Sequence, residues 1–294
     1  MNLEGQVALI TGAGRGLGRA FSLGLAQAGM RVAVVARSAD QIAETASLIQ
    51  ASGGTAMAIP ADVSVPSAVK QLAQDVRQSL GPIDLAINNA GAGGPFGPTW
   101  EVNAEQWWRN FETNMRAPFL CCREVLPDMI ARRRGRIINV ASGAGTRAIP
   151  YMSAYVTSKA ALIRFTECLA LETRSHGIAV FSMSPGTVRT AMSEYSLHSP
   201  EGQKWLPWFR RLFDENVVVP AERPANLVLE LASGRADALS GRFLSIYDDL
   251  DHLLKNSAQI EQKNLHALKV EKLPSAQPNP MLASILAEAR NAAK

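Results

Sequence analysis

Three polar residues in the middle of the chain have the types and spacing needed to transfer a proton at an oxygen atom. Tyr155 and Lys159 lie four residues apart in a helical pattern, which places both side chains on one helix face. An ammonium group beside a phenol lowers the tyrosine pKa, so Tyr155 is a candidate general acid and base. Ser142 ends a predicted strand, where its hydroxyl can hydrogen-bond the reacting oxygen. The alternative is that Tyr155 and Lys159 are an exposed pair on a helix surface and have no catalytic role.

A glycine-rich segment near the start of the chain is typical of a phosphate-binding loop. Residues Thr11–Gly18 follow a predicted strand and precede a predicted helix, which is the context that such a loop requires. Glycine lets the backbone approach a pyrophosphate closely, and the helix N-terminus offers free N–H groups. The alternative is a tight turn without a ligand. The residues predicted to bind the dinucleotide here are Gly12, Gly14, Arg15, Gly16, Leu17 and Gly18.

The end of the second predicted strand indicates which dinucleotide is bound. NAD-specific folds usually place an acidic residue there for the ribose 2′-hydroxyl, whereas NADP-specific folds place an arginine for the 2′-phosphate. This chain has Ala36 followed by Arg37, and Arg15 in the glycine loop can help from the other side. We therefore expect NADP(H) to be preferred over NAD(H). The alternative is that Arg37 is a solvated surface residue.

The elements that must position these residues alternate along the chain. Short apolar runs alternate with helical patterns, as in a parallel sheet covered on both faces. We predict an α/β doubly wound parallel sheet (a Rossmann fold) of seven strands, in a single domain over residues 1–247, with a C-terminal helical extension over 248–294. The predicted strands are Val7–Ile10, Val32–Ala36, Ala56–Ile59, Leu85–Asn88, Arg136–Ala141, Ala179–Met183 and Arg242–Ile246. The predicted helices begin near Arg15, Ala39, Pro66, Ala104, Ala154 and Ala221.

Composition and length favour one large globular domain. The chain has 294 residues, of which 47% are hydrophobic, enough for an ordinary core. No run of about 18 apolar residues occurs, so we expect no transmembrane helix, and the first residues lack a signal-peptide pattern. Cys121, Cys122 and Cys168 lack disulfide or metal-ligand spacing. We therefore expect no bound metal and a reduced, cytoplasmic setting.

The net charge of +4 raises the question of a nucleic-acid partner. The longest basic run, Arg132–Arg134, stands at a predicted helix end, where positive charge complements the helix dipole. A positive balance also suits an anionic dinucleotide. We therefore expect neither a nucleic acid nor a membrane as a partner, but a small-molecule substrate.

Several motifs, in the order found here, resemble those of the short-chain dehydrogenase/reductase family, in its subgroup with the TGxxxGxG loop. The resemblance covers roughly residues 1–247, and several independent motifs in the right order are more specific than any one of them. The residues that carry it are Thr11–Gly18, Ala61–Val63, Asn88–Gly91, Asn114, Ser142, Tyr155, Lys159, Pro185, Gly186 and Thr190.

The resemblance implies a role for each matching residue. Tyr155 is the implied general acid and base, and Lys159 is implied to bind the nicotinamide ribose and to tune Tyr155. Asn114 is implied to hold a water in the proton relay to Lys159; the alternative is an exposed polar residue in a helix. With Ser142, the family's catalytic set is complete. Contacts are implied to the adenine for Asp62 and Val63, to its ribose for Asn89 and Ala90, and to the nicotinamide carboxamide for Pro185, Gly186, Val188 and Thr190.

The complete set favours an oxidoreductase that transfers a hydride between the nicotinamide and a carbonyl or secondary alcohol. Residues 187–220 are rich in aromatic and apolar side chains and correspond to the family's substrate lid, so we expect an apolar substrate. Simple packing of these side chains on the body is an equal alternative. Two other function classes stay open: a dinucleotide-binding regulatory protein, and an epimerase or dehydratase with the same fold.

Two further expectations concern assembly and the tail. The family commonly forms dimers or tetramers through helices around 103–133 and 155–176, so we expect a homodimer or homotetramer. After residue 248, apolar residues recur at helical spacing over Leu250–Leu268, and Asn279 with Pro280 can begin a second helix. We expect the tail to dock near the active-site mouth or across a subunit interface. The alternative is a solvated tail.

Overall fold

Seven parallel strands form a single sheet, as the sequence predicts. The computed structural model describes residues 3–271, and its strands are β1 (Val7–Thr11), β2 (Arg31–Ala36), β3 (Thr55–Pro60), β4 (Ile83–Asn88), β5 (Gly135–Val140), β6 (Ile178–Ser184) and β7 (Phe243–Ser245). Their order across the sheet is β3-β2-β1-β4-β5-β6-β7, and each neighbouring pair is parallel. The doubly wound architecture is therefore confirmed.

Helices connect the strands, and each predicted helix start lies within one residue of an observed one. A π-helical turn, Glu112–Arg116, and a 3-10 turn, Gly143–Thr146, interrupt the α-helical pattern. No helix in residues 3–271 is both long and apolar enough to cross a membrane. The α-helices of the described residues are α1 (Gly16–Gln27), α2 (Ala39–Ala51), α3 (Pro66–Ser79), α4 (Ala104–Phe111), α5 (Ala117–Arg132), α6 (Ser153–Thr173), α7 (Ala191–His198), α8 (Pro200–Trp205), α9 (Arg211–Asp214), α10 (Glu222–Ala232), α11 (Leu250–Lys255) and α12 (Ser257–Gln262).

Alternate side chains of each strand pack into two cores, one on each face of the sheet. In β1, Ala8 and Ile10 belong to the core that contains α1 and α10, whereas Val7 and Leu9 belong to the core that contains α3 and α5. This division follows from the pleat, because successive Cβ atoms of a strand point to opposite faces. The strands read as continuous apolar runs because both faces are buried.

The strand order reverses its direction of growth between β1 and β4. The chain proceeds from β1 to β2 and β3 on one side, then crosses to β4 and proceeds to β7 on the other. In open α/β sheets, ligands bind at the carboxyl ends of the strands beside such a switch point. The sheet therefore directs the loops after β1 and β4, which carry Gly12 and Asn89, to the same crevice.

The basic run Arg132–Arg134 holds the end of α5 against the sheet. Arg132 forms salt bridges with Asp84 at 3.1 Å and with Asp128 at 3.0 Å, and Arg134 lies 3.6 Å from Asp84. Asp84 also accepts a hydrogen bond from the amide of Val7 at 3.0 Å. Most of this positive charge is therefore paired within the fold.

The chain after β7 covers the edge of the sheet in the described residues. Leu253 and Ile260 are buried in the same core as α1 and α10. The main-chain oxygen of His266 accepts a hydrogen bond from the amide of Phe243 in β7 at 2.8 Å, and Leu268 packs against the apolar cluster that includes Leu162. The tail therefore pairs with an edge strand that would otherwise present unpaired backbone groups.

This placement corrects two expectations about the tail. The helical stretch over Leu250–Leu268 is two short helices that meet at Asn256, a residue type with low helix propensity, followed by a non-helical segment. None of the described residues 248–271 lines the cleft, so docking at the active-site mouth is wrong for this part of the tail. The predicted helix that begins at Asn279 and Pro280 lies outside the described residues.

Removal of one buried tail side chain tests this packing. Ile260 is 3% exposed, so Ile260→Ala should leave a cavity and lower the free energy of unfolding by about 2–5 kcal/mol. Gln259→Ala, at an exposed neighbour in α12, is the matched control and should change it by less than about 0.5 kcal/mol. Urea denaturation measures both. An unchanged midpoint for Ile260→Ala would show that the tail does not pack on the body.

Candidate active site

A deep cleft opens at the carboxyl ends of the strands, beside the switch point between β1 and β4. Its volume of about 1060 Å³ is at the upper limit of ordinary small-ligand pockets. The loops after β1, β2, β3, β4, β5 and β6 all contribute to its walls. The cleft is therefore large enough to hold an extended cofactor and a small substrate together.

The glycine loop after β1 has the conformation that a dinucleotide-binding turn requires. Gly12 and Gly16 have φ angles of +65° and +55°, a region that favours glycine. A Cβ atom on Gly12 would lie 2.8 Å from the Cα of Ala90, and one on Gly14 would lie 2.8 Å from the Cβ of Gln41. The residues of this loop that line the cleft, as predicted, are Gly12, Gly14, Arg15, Gly16 and Leu17.

Gly18, which the sequence assigns to the cofactor, has a packing role instead. It does not line the cleft, and a Cβ atom on Gly18 would lie 2.3 Å from the carbonyl oxygen of Gly12. Gly18 therefore allows α1 to lie close against the loop, which is the role of the third glycine in such motifs. The prediction that Gly18 contacts the cofactor directly is therefore replaced by a packing role.

The loop after β4 supports the glycine loop from the side. The Thr11 hydroxyl accepts hydrogen bonds from the amides of Asn89 and Ala90 at 3.0 and 3.1 Å. The side-chain amide of Asn89 donates to the carbonyl oxygens of Thr11 and Gly12 at 2.9 and 3.2 Å. Asn89 and Ala90 both line the cleft, as predicted, but the side-chain nitrogen of Asn89 is used to hold the loop.

Two exposed arginines and one carboxylate mark the end of the cleft near β2 and β3. Arg15 and Arg37 line the cleft and form no salt bridge with any residue in 3–271. Hydrogen bonds from the hydroxyl and the amide of Ser64, with the charge of Arg37 nearby, hold the pKa of Asp62 below its usual value. Val63 adds an apolar contact surface. At this end of the cleft, Arg15 and Arg37 could therefore bind a phosphate group, and the Asp62 carboxylate could accept a hydrogen bond from an adenosine group.

The loop after β6 closes the opposite end of the cleft. Gly186 has a φ of +69°, and a Cβ atom there would lie 2.5 Å from the side chain of Ile246, so the turn requires glycine. Thr190 caps α7: its hydroxyl accepts from the amide of Ser193 at 3.3 Å, and the Ser193 hydroxyl accepts from the amide of Thr190 at 2.8 Å. This loop lines the cleft through the predicted residues Pro185, Gly186, Val188 and Thr190.

Ser142, Tyr155 and Lys159 meet although they lie on two different elements. Ser142 follows β5, whereas Tyr155 and Lys159 lie in α6. All three line the cleft, and the Ser142 hydroxyl is close enough to Tyr155 to favour its phenolate form. Lys159 is 4% exposed; its Nζ donates to the carbonyl oxygen of Val140 at 2.8 Å and lies 5.8 Å from the centre of the Tyr155 ring. The alternative of an exposed helical pair is therefore wrong.

Burial sets the pKa values of both ionisable groups. Burial raises the pKa of Tyr155, and the hydrogen bond with Ser142 opposes this rise without cancelling it. Burial also lowers the pKa of Lys159 to about 8. The expected net lowering of the tyrosine pKa by the lysine is therefore wrong, because desolvation of the phenolate dominates. Tyr155 is kept protonated, which suits a proton donor.

Asn114 is fully buried in the π-helical turn between α4 and α5. Its side-chain nitrogen donates to the carbonyl oxygen of Ala92, the Oδ1 of Asn110 and the hydroxyl of Ser158 at 2.8–3.0 Å, and its Oδ1 accepts from the amide of Ala92 at 2.9 Å. This network joins the loop after β4 to α6. The alternative of an exposed polar residue is wrong, although Asn114 does not itself line the cleft.

The predicted lid segment, residues 187–220, divides its apolar side chains between two roles. Met192, Trp208, Phe209 and Leu212 line the cleft. The others pack within the lid or on the body: Leu197 and Leu206 are buried, Tyr195 contacts Phe96, Trp205 contacts Tyr151, and Phe213 lies under Arg189. The stretch therefore contains both cleft-lining and packing side chains, and contact of the first group with an apolar substrate stays a prediction.

Sequence reasoning missed several residues of the site. Asn110 and Ser158 complete the Asn114 network, and nothing in their local sequence marks them. Arg147 lines the cleft, and its position shortly after Ser142 was the available signal. Tyr247 lines the cleft directly after β7, beside the guanidinium of Arg223 at 5.1 Å from its ring centre.

A parallel sheet with a dinucleotide cleft, and with serine, tyrosine and lysine together inside it, defines a Rossmann-fold oxidoreductase. Comparison with known proteins agrees. The family model described as short chain dehydrogenase matches residues 6–200. The chain belongs to the short-chain dehydrogenase/reductase family, whose members are NAD(P)-dependent enzymes acting on CH–OH and C=O groups.

Individual relatives match most of the chain. A short chain dehydrogenase from Pseudocercospora fijiensis is 33% identical over 261 residues, which cover 87% of this chain and 84% of the relative. A 3-oxoacyl-[acyl-carrier-protein] reductase from Staphylococcus epidermidis is 32% identical over 240 residues, which cover 81% of this chain and 96% of the relative. The crystal structure of a metagenomic short-chain oxidoreductase in complex with NADP is 31% identical, covers 79% of this chain and 92% of its own, and gives a TM-score of 0.67.

The burial of Lys159 predicts a pH-dependent cost to stability. The folded-state pKa of about 8 lies below the ordinary value of 10.5, so between these values the unfolded chain binds more protons and stability rises with pH. The lysine therefore destabilises the free enzyme most below pH 8. The free energy of unfolding of the wild type, minus that of Lys159→Met, should rise by about 2 kcal/mol from pH 7 to pH 10.

Denaturant titrations of both proteins at several pH values measure this difference. The difference between the two proteins removes the contribution of other titrating groups, because these are shared. A difference that stays constant from pH 7 to pH 10 would show that the Lys159 ammonium is not desolvated in the fold.

Proposed function

We propose that the protein is an NADP(H)-dependent oxidoreductase that transfers a hydride between the nicotinamide and a ketone, aldehyde or secondary alcohol on an apolar substrate. The observation that carries the proposal is that Ser142, Tyr155 and the buried Lys159 come together in one cleft, whose other wall is apolar. A general acid next to a hydroxyl donor is the arrangement that a carbonyl oxygen requires as it gains negative charge.

In the proposed reduction, Ser142 and Tyr155 hydrogen-bond the substrate oxygen and orient the carbonyl. NADPH supplies the hydride when it is bound. Tyr155 donates its proton to the oxygen, which becomes the hydroxyl of the product. The Lys159 ammonium stabilises the phenolate that remains, and the oxidation of an alcohol runs through the same groups in reverse.

We propose a positioning role for Asn114. All hydrogen-bonding capacity of its side-chain nitrogen is taken by Ala92, Asn110 and Ser158, so the side chain fixes the loop after β4 relative to α6. A water in the relay to Lys159 would then bind to main-chain oxygen of the π-helical turn, a feature often found at functional sites.

The proposal includes a cytoplasmic location and a homodimer or homotetramer. Three free cysteines, two of them buried, support a reducing setting. Trp108 and Phe119, in α4 and α5, are 58% and 44% exposed, and large apolar side chains exposed on one helix pair support association through that surface.

Substitution of the proposed acid tests the mechanism. Tyr155→Phe should keep NADPH binding and lose at least about 100-fold in kcat, because a positioned acid contributes roughly that much. Tyr151→Phe is the matched control, since Tyr151 packs on Trp205 with a ring separation of 4.8 Å and does not line the cleft. The assay is NADPH oxidation with a carbonyl compound identified in a panel of ketones and aldehydes. A Tyr155→Phe enzyme with more than half of the wild-type kcat would contradict the assignment.

Cofactor preference tests the role of Arg37. Losing a charge-assisted hydrogen bond of about 1.5–3 kcal/mol should weaken NADPH binding roughly 10- to 150-fold in Arg37→Ala and leave NADH binding nearly unchanged. Arg123→Ala removes the same charge from an exposed position outside the cleft and should leave both affinities unchanged. Fluorescence titration of each cofactor gives the dissociation constants. Equal affinities of the wild type for NADPH and NADH would refute the preference.

A further inference from the structure

One cation lies close to the catalytic serine and has no role in the mechanism above. Arg147 follows the 3-10 turn that begins after Ser142, and it lines the cleft. Its guanidinium folds back over Gly143: a Cβ atom placed on Gly143 would lie 4.0 Å from Nη2 of Arg147 and 3.8 Å from the hydroxyl of Ser184. Since Gly143 is adjacent to Ser142 and consecutive Cα atoms are about 3.8 Å apart, the charge lies within the length of a small substrate from the reacting carbonyl.

Arg147 has no partner among the residues that the structure describes. It is exposed and forms neither a salt bridge nor a side-chain hydrogen bond within residues 3–271. Two arginines of the lid segment differ in this respect, because Arg189 pairs with Glu194 at 2.7 Å and Arg211 pairs with Glu215 at 2.6 Å. The planar guanidinium of Arg147 is therefore available to bind an anion with two parallel hydrogen bonds.

An apolar cluster lines the same cleft beside Tyr155. Phe96, Ile149, Met152 and Phe209 form one cluster that also contacts Tyr155, and each of the four lines the cleft. Trp208 lies against Phe209 with ring centres 5.7 Å apart. A ligand that fills this space meets a hydrophobic wall and the guanidinium of Arg147, whose parallel N–H donors match the two oxygens of a carboxylate. Arg109 and Glu112 also line the cleft.

We propose that the substrate is an oxo acid, or the corresponding hydroxy acid, whose carboxylate is bound by Arg147 while its hydrocarbon part packs against the apolar cluster. This inference rests on the proposed function and narrows its substrate class. Arg147 then acts in specificity: it holds the substrate so that the carbonyl group reaches Ser142 and Tyr155, and it takes no part in proton or hydride transfer.

Matched acids and esters test the proposal. The probes are 4-oxooctanoate and 5-oxooctanoate, each compared with its methyl ester, in NADPH-oxidation assays. The wild type should favour the acid over the ester by at least roughly 10-fold in kcat/KM for one of the pairs, as expected for a charge-assisted hydrogen bond. Arg147→Met should bring this ratio close to one, and Arg147→Lys should retain part of it. Arg211→Met, which removes the same charge from outside the cleft, should retain the wild-type ratio.

The outcomes separate this inference from the proposed function. If the wild type reduces uncharged ketones but shows no preference for either acid, or if Arg147→Met keeps the preference, the carboxylate site is overturned and the proposed function stands. Binding without turnover gives a second readout: octanoate, titrated calorimetrically in the presence of NADP+, should bind at least roughly 10-fold more weakly to Arg147→Met than to the wild type. Equal binding overturns the site even when no carbonyl compound is reduced.

Discussion

The burial of the Lys159 ammonium is the constraint on which the catalytic arrangement depends. A lysine that is 4% exposed needs a hydrogen-bond acceptor, and Nζ finds it in the carbonyl oxygen of Val140 at the end of β5. This bond ties α6 to the strand that leads directly into Ser142. Because Tyr155 lies one helical turn before Lys159, fixing the lysine also places the tyrosine in the same cleft as Ser142. In the proposed mechanism, the positive charge that is buried here stabilises the phenolate of Tyr155.

Contacts elsewhere in the fold fix the loops and the helix that surround the buried lysine. Asn114, in its π-helical turn, holds the loop after β4 against Ser158, the residue beside Lys159. The glycine loop is fixed from the same side, since Thr11 and Asn89 exchange hydrogen bonds across the switch point. The tail contributes further away: it covers the edge of β7 and buries Ile260 in the core. Hydrogen-bond networks therefore hold the loops at the carboxyl ends of the strands, and apolar packing holds the helices on the two faces of the sheet.

Local patterns in the sequence were sufficient to predict the sheet, the turn of the glycine loop and the shared helix of Tyr155 and Lys159, because each depends on short-range spacing. Strand positions follow from apolar runs, and the Tyr155 to Lys159 spacing is a property of one helix. Features that depend on contacts between distant segments were missed or misjudged. Gly18 looked like a cofactor ligand, but the close approach of Gly12 gives it a packing role. The net pKa shift of Tyr155 depends on burial, which no local pattern reveals. The tail was expected at the active-site mouth or across a subunit interface, because its apolar spacing does not specify which surface it covers.

Isotope transfer tests the central claim, that hydride passes between the cofactor and the substrate carbon while Tyr155 supplies the proton. The enzyme is incubated with NADPH deuterated at both C4 positions and with a carbonyl compound that it reduces, and the alcohol is analysed by mass spectrometry and NMR. The account predicts a single deuterium on the former carbonyl carbon for each NADPH oxidised, with a hydroxyl proton from solvent. Product formed without deuterium, or product formed while NADPH is regenerated unchanged, would contradict it and would indicate epimerisation or dehydration on the same fold.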